Sequence, residues 1–308
     1  MGIEQRQLGR VLVTGANGFL GAALLAELGK RKVDCIATDV AGSAPLPSGM
    51  QVLDVRDGPG VRAIMERTRF DTVFHCGAVS GPMVMADRPL DIWNINATGT
   101  ANLLEAARLT ETGRVVVCST VEVYGEAVTG VATETTRPQP DGVYGASKLA
   151  AEQAALAYHG EHGLDTVALR FSWIYGPGRK TPTTLAALLA DSLRGTPTRV
   201  EGHPADMTHY LFIEDAVEGL LRAATVAALR GERVFNITAG AGTPLSEILD
   251  QVRAVAPGVR IDFHTLSAAG SGPSGFSQDR AEAVLGYRAV TAFETGLVRT
   301  LATLRGAA

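Results

Sequence analysis

Short, continuously apolar runs alternate with longer stretches of helical spacing through the first half of the chain. Arg10–Thr14, Val33–Thr38, Gln51–Leu53, Thr72–His75, Val115–Cys118 and Thr166–Leu169 read as strands. Their unbroken hydrophobicity fits strands covered by helices on both faces. Between them, Phe19–Lys30, Val61–Arg67, Leu90–Leu109 and Tyr144–His162 have the length and spacing of helices. This βαβ alternation predicts an α/β fold with a doubly wound parallel sheet.

Past about residue 170 the pattern turns irregular. Gly176–Thr183 is a loop rich in Gly, Pro and Thr, Leu185–Leu193 reads as a helix, and Gly195–His209 reads mostly as loop. Glu214–Ala227 then reads as helix and Val234–Ile237 as strand. Two more helices, Ser246–Val255 and Thr291–Leu304, flank a flexible Gly/Ser segment at Ala268–Ser277. The expected organisation is a sheet domain over residues 1–170, to which 210–242 return. A smaller capping lobe is expected from 171–209 and 243–308.

Composition narrows the classes of function. The 308 residues are 46% hydrophobic, enough for a large core, and the formal charge of −4 gives no basic field for nucleic acid or an anionic membrane. No apolar run approaches the roughly 18 residues of a membrane span. The start, Met1 to Gln7, is too polar for a signal peptide, so a cytoplasmic protein is expected. Cys35, Cys76 and Cys118 lie in or beside β-type runs and read as small buried hydrophobes.

Three segments carry chemistry. Thr14-Gly15-Ala16-Asn17-Gly18-Phe19-Leu20-Gly21 follows a strand and opens a helix, the context that makes a glycine triplet a dinucleotide fingerprint. Gly15 permits the tight turn, Gly18 lets backbone approach a pyrophosphate, and Gly21 allows close helix packing. The helix start supplies N–H donors to the anion. Asp39 ends the second strand, where a carboxylate can accept both ribose hydroxyls and would repel a 2′-phosphate; with no Arg or Lys in the residues that follow, it favours NAD over NADP. The bland alternative is a strand-end Asp capping a turn. Tyr144 and Lys148, four residues apart, share a helix face. An ammonium beside a phenol favours the phenolate, which would make Tyr144 a base near neutral pH. The third segment is Ser119-Thr120-Val121-Glu122-Val123-Tyr124-Gly125.

In this order the motifs resemble the extended short-chain dehydrogenase/reductases, in particular the NAD-dependent sugar epimerase/dehydratase group. The resemblance also takes in Asp54-Val55, His75-Cys76-Gly77-Ala78, Asn96-Ala97-Thr98-Gly99-Thr100, Leu169-Arg170-Phe171, Tyr175-Gly176-Pro177-Gly178 and Leu285-Gly286-Tyr287. It implies a Rossmann-type sheet with a C-terminal substrate-capping lobe and NAD as cofactor. Asp54 and Val55 would meet the adenine, Phe19 and Leu20 the pyrophosphate, and Cys76, Gly77 and Ala78 the length of the cofactor. Asn96, Tyr144 and Lys148 would lie near the nicotinamide half, with Thr120 where the family has its catalytic Ser or Thr. The implied chemistry is hydride transfer, with Tyr144 taking the hydroxyl proton.

The residues around Glu122 bear on the net reaction. Ser-Thr-x-Glu-Val-Tyr-Gly resembles 4,6-dehydratases and uronate decarboxylases; in the dehydratases the Glu removes a proton beside the new ketone and its neighbour helps expel the departing hydroxyl. Here its neighbour Val121 can neither donate nor accept a proton, so Glu122 either does acid/base work, orients substrate, or pairs with a basic side chain. Trp173 stands where many relatives have an Asn that binds the sugar nucleotide. Thr208 stands where an Arg often grips the pyrophosphate, a role Arg179 and Lys180 could take over. Expected substrate contacts are Ser80, Thr120, Trp173, Arg179 and His209, with a carbohydrate, nucleotide sugars included, as substrate. A simple dehydrogenase of a sugar or sugar acid is the main rival, and a silent NAD-sensing protein a further one. Glu201, His203, Asp206 and His209 have no metal-cage spacing, and no metal is expected. His159 and His162 are expected to face water. The small residues Ala150, Ala151, Ala154, Ala155 and Ala157 on Lys148–His162 fit a homodimer through that helix and Leu90–Leu109.

Overall fold

The computed structural model describes residues 3–42, 45–267, 270 and 272–306. Seven strands form one parallel sheet: β1 (Val11–Thr14), β2 (Cys35–Asp39), β3 (Gln51–Val52), β4 (Thr72–His75), β5 (Arg114–Thr120), β6 (Thr166–Phe171) and β7 (Val234–Ile237). Their order is β7-β6-β5-β4-β1-β2-β3, and each neighbouring pair is parallel. The chain winds outward from β1 through β2 to β3, then returns to build β4 on the other side of β1. That reversal leaves a crevice at the carboxyl ends of β1 and β4, where open α/β sheets bind ligands.

Helices α1 (Phe19–Lys30), α2 (Gly58–Arg67), α3 (Gly99–Leu109), α4 (Val143–His162), α5 (Thr184–Arg194), α6 (Ile213–Thr225), α7 (Leu245–Val255) and α8 (Phe293–Gly306) complete the layers. Strand periodicity decides which helix covers which face. Val11, Val13, Phe74, Val116 and Val167 point one way and bury Leu24 and Leu28 of α1 with Leu220 and Leu221 of α6. Leu12, Val73, Val115 and Val117 point the other way, against Val61 and Met65 of α2, Leu103 and Leu104 of α3, and Ala155 of α4. A third cluster joins Leu185 and Leu189 of α5, Val252 of α7 and Leu297 of α8 to Tyr175 and Phe212, and it reaches Phe19 and Leu20 at the start of α1.

Three expectations change. Gly195–His209 contains a strand, Pro197–Gly202, paired in parallel with Arg260–Thr265. Thr198, Val200 and Gly202 point inward while Pro197, Arg199 and Glu201 point outward. With Val200 the sole large apolar residue of that face, the alternation reads as loop. Trp173–Tyr175 and Tyr210–Phe212 are also strands, paired in parallel with each other. The helix expected at Leu90–Leu109 is interrupted: Pro89–Trp93 leads through a π turn at Asn94–Thr98 into α3. Of the Gly/Ser segment, Ala268, Ala269 and Ser271 lie outside the described residues, as do Met1, Gly2 and Ser43.

Candidate functional site

The glycine turn closes tightly because its backbone permits it. Gly15 sits at φ +65°, and a Cβ there would come within 2.5 Å of the Gly77 backbone. A side chain at Gly21 would overlap the Gly15 carbonyl. Gly18 precedes α1 with no side-chain cap, so the first N–H groups of the helix have no side-chain acceptor. Asp39 stands at the end of β2 with Oδ2 accepting from the Asn17 N–H at 2.8 Å and Oδ1 from the Val40 N–H at 2.7 Å. Each carboxylate oxygen retains acceptor capacity for a hydroxyl. This cradle of glycine backbone, uncapped helix start and strand-end carboxylate fits a dinucleotide.

The turn is tied to the next loop through His75, a residue whose role the motif reading missed. Its Nδ1 meets Thr14 Oγ1 at 2.7 Å and its Nε2 meets Thr100 Oγ1 at 3.0 Å. Thr14 Oγ1 also accepts from the Gly77 N–H at 3.3 Å. Burial, with the charge of Lys148, pushes the imidazole down to about 3, so it is neutral and serves as a hydrogen-bonded strut between β1 and β4. Its signal in the sequence is a polar ring ending an otherwise apolar strand.

Downstream of β4, Cys76, Gly77 and Ala78 are half-buried, and Ser80 is exposed. Asn96 is fully buried: its Oδ1 accepts from the Val79 N–H at 2.8 Å and its Nδ2 donates to Ser147 Oγ at 3.0 Å. Its amide thus fastens the β4 loop to α4. Asp54 is paired with Arg56, which holds the carboxyl below its usual range, and Val55 packs where a Cβ on Gly99 would stand. The Cys76 and Cys118 sulfurs lie 3.7 Å apart; both thiols are free, as is Cys35, which is only partly buried.

Tyr144, Lys148 and Thr120 come together at the carboxyl end of β5. Gly145 makes this possible, because a Cβ there would stand 2.8 Å from the Glu122 carbonyl; glycine lets α4 approach the segment after β5. Thr120 is buried and its Oγ1 accepts from the Glu122 N–H at 3.2 Å. Burial pushes the Tyr144 hydroxyl up to about 12; the Thr120 hydrogen bond and the Arg179 charge pull against this, while Glu122 and Cys118 push with it. Lys148 is held below its ordinary value by burial, and the groups acting on its charge are Cys118, Cys76 and Glu152. Burial thus works against the expected lowering of Tyr144 by Lys148. The dry site penalises the phenolate, and the protein's own groups leave the hydroxyl protonated at pH 7.

The substrate-side residues divide. Trp173 is 44% exposed, and its Nε1 donates to Glu122 Oε1 at 3.0 Å, so among the described residues Glu122 pairs with an indole and not with a basic side chain. The Trp173 ring also meets Tyr210 edge-on at 6.0 Å. Arg179 lies over the Phe19 ring and Lys180 reaches Asn17, which places both at the glycine turn. Thr208 is buried and donates to the Thr243 carbonyl at 2.8 Å. His209 turns to the Pro273 carbonyl at 3.1 Å and to the Phe276 ring. A cavity of about 300 Å³ opens between Thr208, Tyr210, Thr243 and Phe293, and neither Tyr144 nor Lys148 lines it.

Of the other candidates, Glu201 pairs with Arg199, His203 Nδ1 accepts from the Ala205 N–H, and Asp206 accepts from the His203 and Gly270 N–H groups. His162 is exposed, whereas His159 is half-buried and bonds the Leu164 carbonyl at 3.0 Å beyond the helix end, a correction to its expected place in water.

A model of the NAD dependent epimerase/dehydratase family matches residues 11–238. The dTDP-glucose 4,6-dehydratase of Actinoplanes sp. is 29% identical, with 96% of this chain and 98% of that protein covered. The UDP-glucose 4-epimerase of Mycolicibacterium smegmatis is 28% identical with the same coverage. Among solved structures, MoeE5 in complex with UDP-glucuronic acid and NAD superposes with a TM-score of 0.86 at 31% identity, covering 97% of this chain and 100% of that one.

Proposed function

The chain belongs to the NAD-dependent epimerase/dehydratase family, and on that premise we propose that Tyr144, Lys148 and Thr120 oxidise a sugar hydroxyl in a reaction that returns the hydride, an epimerisation. The observation that carries this reading is the placement of Thr120 at the end of β5, close enough to act on the Tyr144 hydroxyl, with Lys148 one turn beyond Tyr144 on α4, at the same end of the sheet as the glycine turn. NAD, when bound, supplies the hydride acceptor and a positive ring whose charge draws the Tyr144 hydroxyl back down. Thr120 orients the substrate oxygen, and Tyr144 takes its proton and gives it back. Lys148 holds the ribose side of the site and the phenolate charge. Asp39 receives the adenosine ribose, Asp54 and Val55 the adenine, and Phe19, Leu20 and Cys76 to Ala78 line the cofactor. Asn96 supports the loop that carries Val79.

Epimerisation is favoured over dehydration by the neighbour of Glu122. Val121 is buried and has no proton to give a departing hydroxyl. Glu122, held by Trp173, is positioned to accept a sugar hydroxyl, and the exposed indole offers the ring a flat face. Relatives that bear UDP- and dTDP-sugar names make a nucleotide sugar the first substrate to try. A second reading, a dehydrogenase of a free sugar or sugar acid, is favoured by Thr208, whose hydroxyl is spent on Thr243 and brings no cation.

Residues 1–170 with 210–242 would hold the cofactor, and 171–209 with 243–308 the substrate. No helix among the described residues is long and apolar enough to cross a membrane. We place the protein in the cytoplasm as a homodimer, on the support of exposed Leu90, Trp93 and Leu109 along the helices expected to pair.

The test is incubation with NAD and UDP-glucose, UDP-glucuronic acid or dTDP-glucose, followed by NMR of the sugar. A 4-epimer formed without net NADH supports the proposal. Stoichiometric NADH with a sugar acid, and no change in any nucleotide sugar, would replace it with the second reading.

A further inference from the structure

The loop 176–183 carries two cations onto the glycine turn. Lys180 Nζ donates to the Asn17 carbonyl at 3.0 Å and to Asn17 Oδ1 at 3.1 Å. The Arg179 guanidinium lies 5.6 Å from the centroid of Phe19, the first residue of α1. Arg179 Nη1 donates to the Ile174 carbonyl at 2.6 Å, which fixes the fork, while its Nε is buried with no partner among the described residues. Neither cation is paired with a carboxylate among the described residues. Asn17 is in turn bonded to Asp39, so carboxylate, turn and loop form one hydrogen-bonded unit.

We propose that Arg179 and Lys180 form a strap that binds the diphosphate of the bound dinucleotide and slows its release. This rests on the reading of the glycine turn as the NAD site. A guanidinium with an unpartnered buried N–H, set over a helix start rich in free donors, is matched by a bridging dianion. Both of its anchors, Asn17 and Phe19, are residues of the turn itself, which favours the cofactor's diphosphate over an anion on the substrate. Lys180 tethers the strap, and the cofactor leaves when that tether opens.

The test uses Arg179→Gln and Lys180→Met in the full chain, with calorimetric titration of NAD, ADP-ribose and adenosine, and NAD release followed by stopped flow. Arg179→Gln is expected to weaken NAD and ADP-ribose by about ten- to a hundredfold and to leave adenosine, which has no diphosphate, within about twofold. Lys180→Met is expected to speed NAD release by about tenfold or more. Unchanged NAD and ADP-ribose affinity, with a raised KM for the sugar substrate, would assign Arg179 to a substrate anion and overturn the proposal. Equal weakening of all three ligands would reduce it to a support for the turn. Should Arg179→Gln not fold, the release rate of the exposed Lys180→Met variant decides. A wild-type protein that binds none of the three ligands would instead refute the NAD-site reading beneath it.

Discussion

Removing the Glu152 carboxylate should destabilise the protein far more than a typical substitution, because it strands a buried cation. Glu152 is fully buried one turn beyond Lys148, and Arg170 on β6 is 3% exposed. The carboxylate accepts from Arg170 Nε at 2.9 Å and Nη2 at 2.5 Å, and from Ser119 Oγ at 3.1 Å. The guanidinium lies 4.7 Å from the centroid of the Tyr124 ring, and its Nη1 already lacks a partner among the described residues. Glu152→Gln leaves this charge without its counter-ion, at a cost of about 3–5 kcal/mol. At roughly 2–3 °C per kcal/mol for a chain of this size, the midpoint should fall by about 6–15 °C. Urea denaturation and differential scanning calorimetry read both quantities. The double variant Glu152→Leu with Arg170→Met removes both charges and should recover most of the loss, giving a coupling of about 2 kcal/mol or more. A loss under about 1 kcal/mol for Glu152→Gln, or additive single variants, would refute the reasoning.

Gly15→Ala, which places a Cβ against Gly77 at positive φ, should abolish measurable NAD binding in a thermal-shift titration while the fold persists. His75 titrates at about 3 in the fold against an ordinary value of 6.5, so its contribution is complete above about pH 6.5 and is lost as pH falls toward 3. It amounts to roughly 5 kcal/mol at most, and chemical denaturation of His75→Gln should show a correspondingly smaller loss from pH 7 to pH 4. Tyr144 and Tyr210 are both raised to about 12 by burial, so the stability they confer is complete below about pH 10 and lost as pH rises toward 12. Alkaline unfolding followed by tyrosinate absorbance should therefore be cooperative above about pH 10, and Tyr144→Phe with Tyr210→Phe should move it upward.

The sheet was legible because strands covered on both faces are unbroken apolar runs, and Val11–Thr14 through Thr166–Phe171 announce themselves in that way. Pro197–Gly202 and Arg260–Thr265 did not, since a solvent-facing pair with one large apolar residue on its inner face resembles a loop. The motifs brought Tyr144, Lys148, Thr120 and the glycine turn to one place because each sits at a strand end or helix start, where spacing fixes position. The electrostatics were not legible: whether Lys148 lowers Tyr144 depends on how dry the site is and on which groups surround the ammonium. The same holds for Glu122, whose partner Trp173 lies 51 residues away, and for His75, whose two hydroxyl partners lie on separate elements.

The most direct measurement is single-turnover absorbance of enzyme-bound nicotinamide on mixing the NAD-loaded protein with a nucleotide sugar, for wild type and Tyr144→Phe. The account predicts a transient reduced-nicotinamide band in the wild type that decays as epimer forms, and a rate at least about a hundredfold lower in Tyr144→Phe with NAD affinity preserved. Equal rates in the two proteins would contradict it.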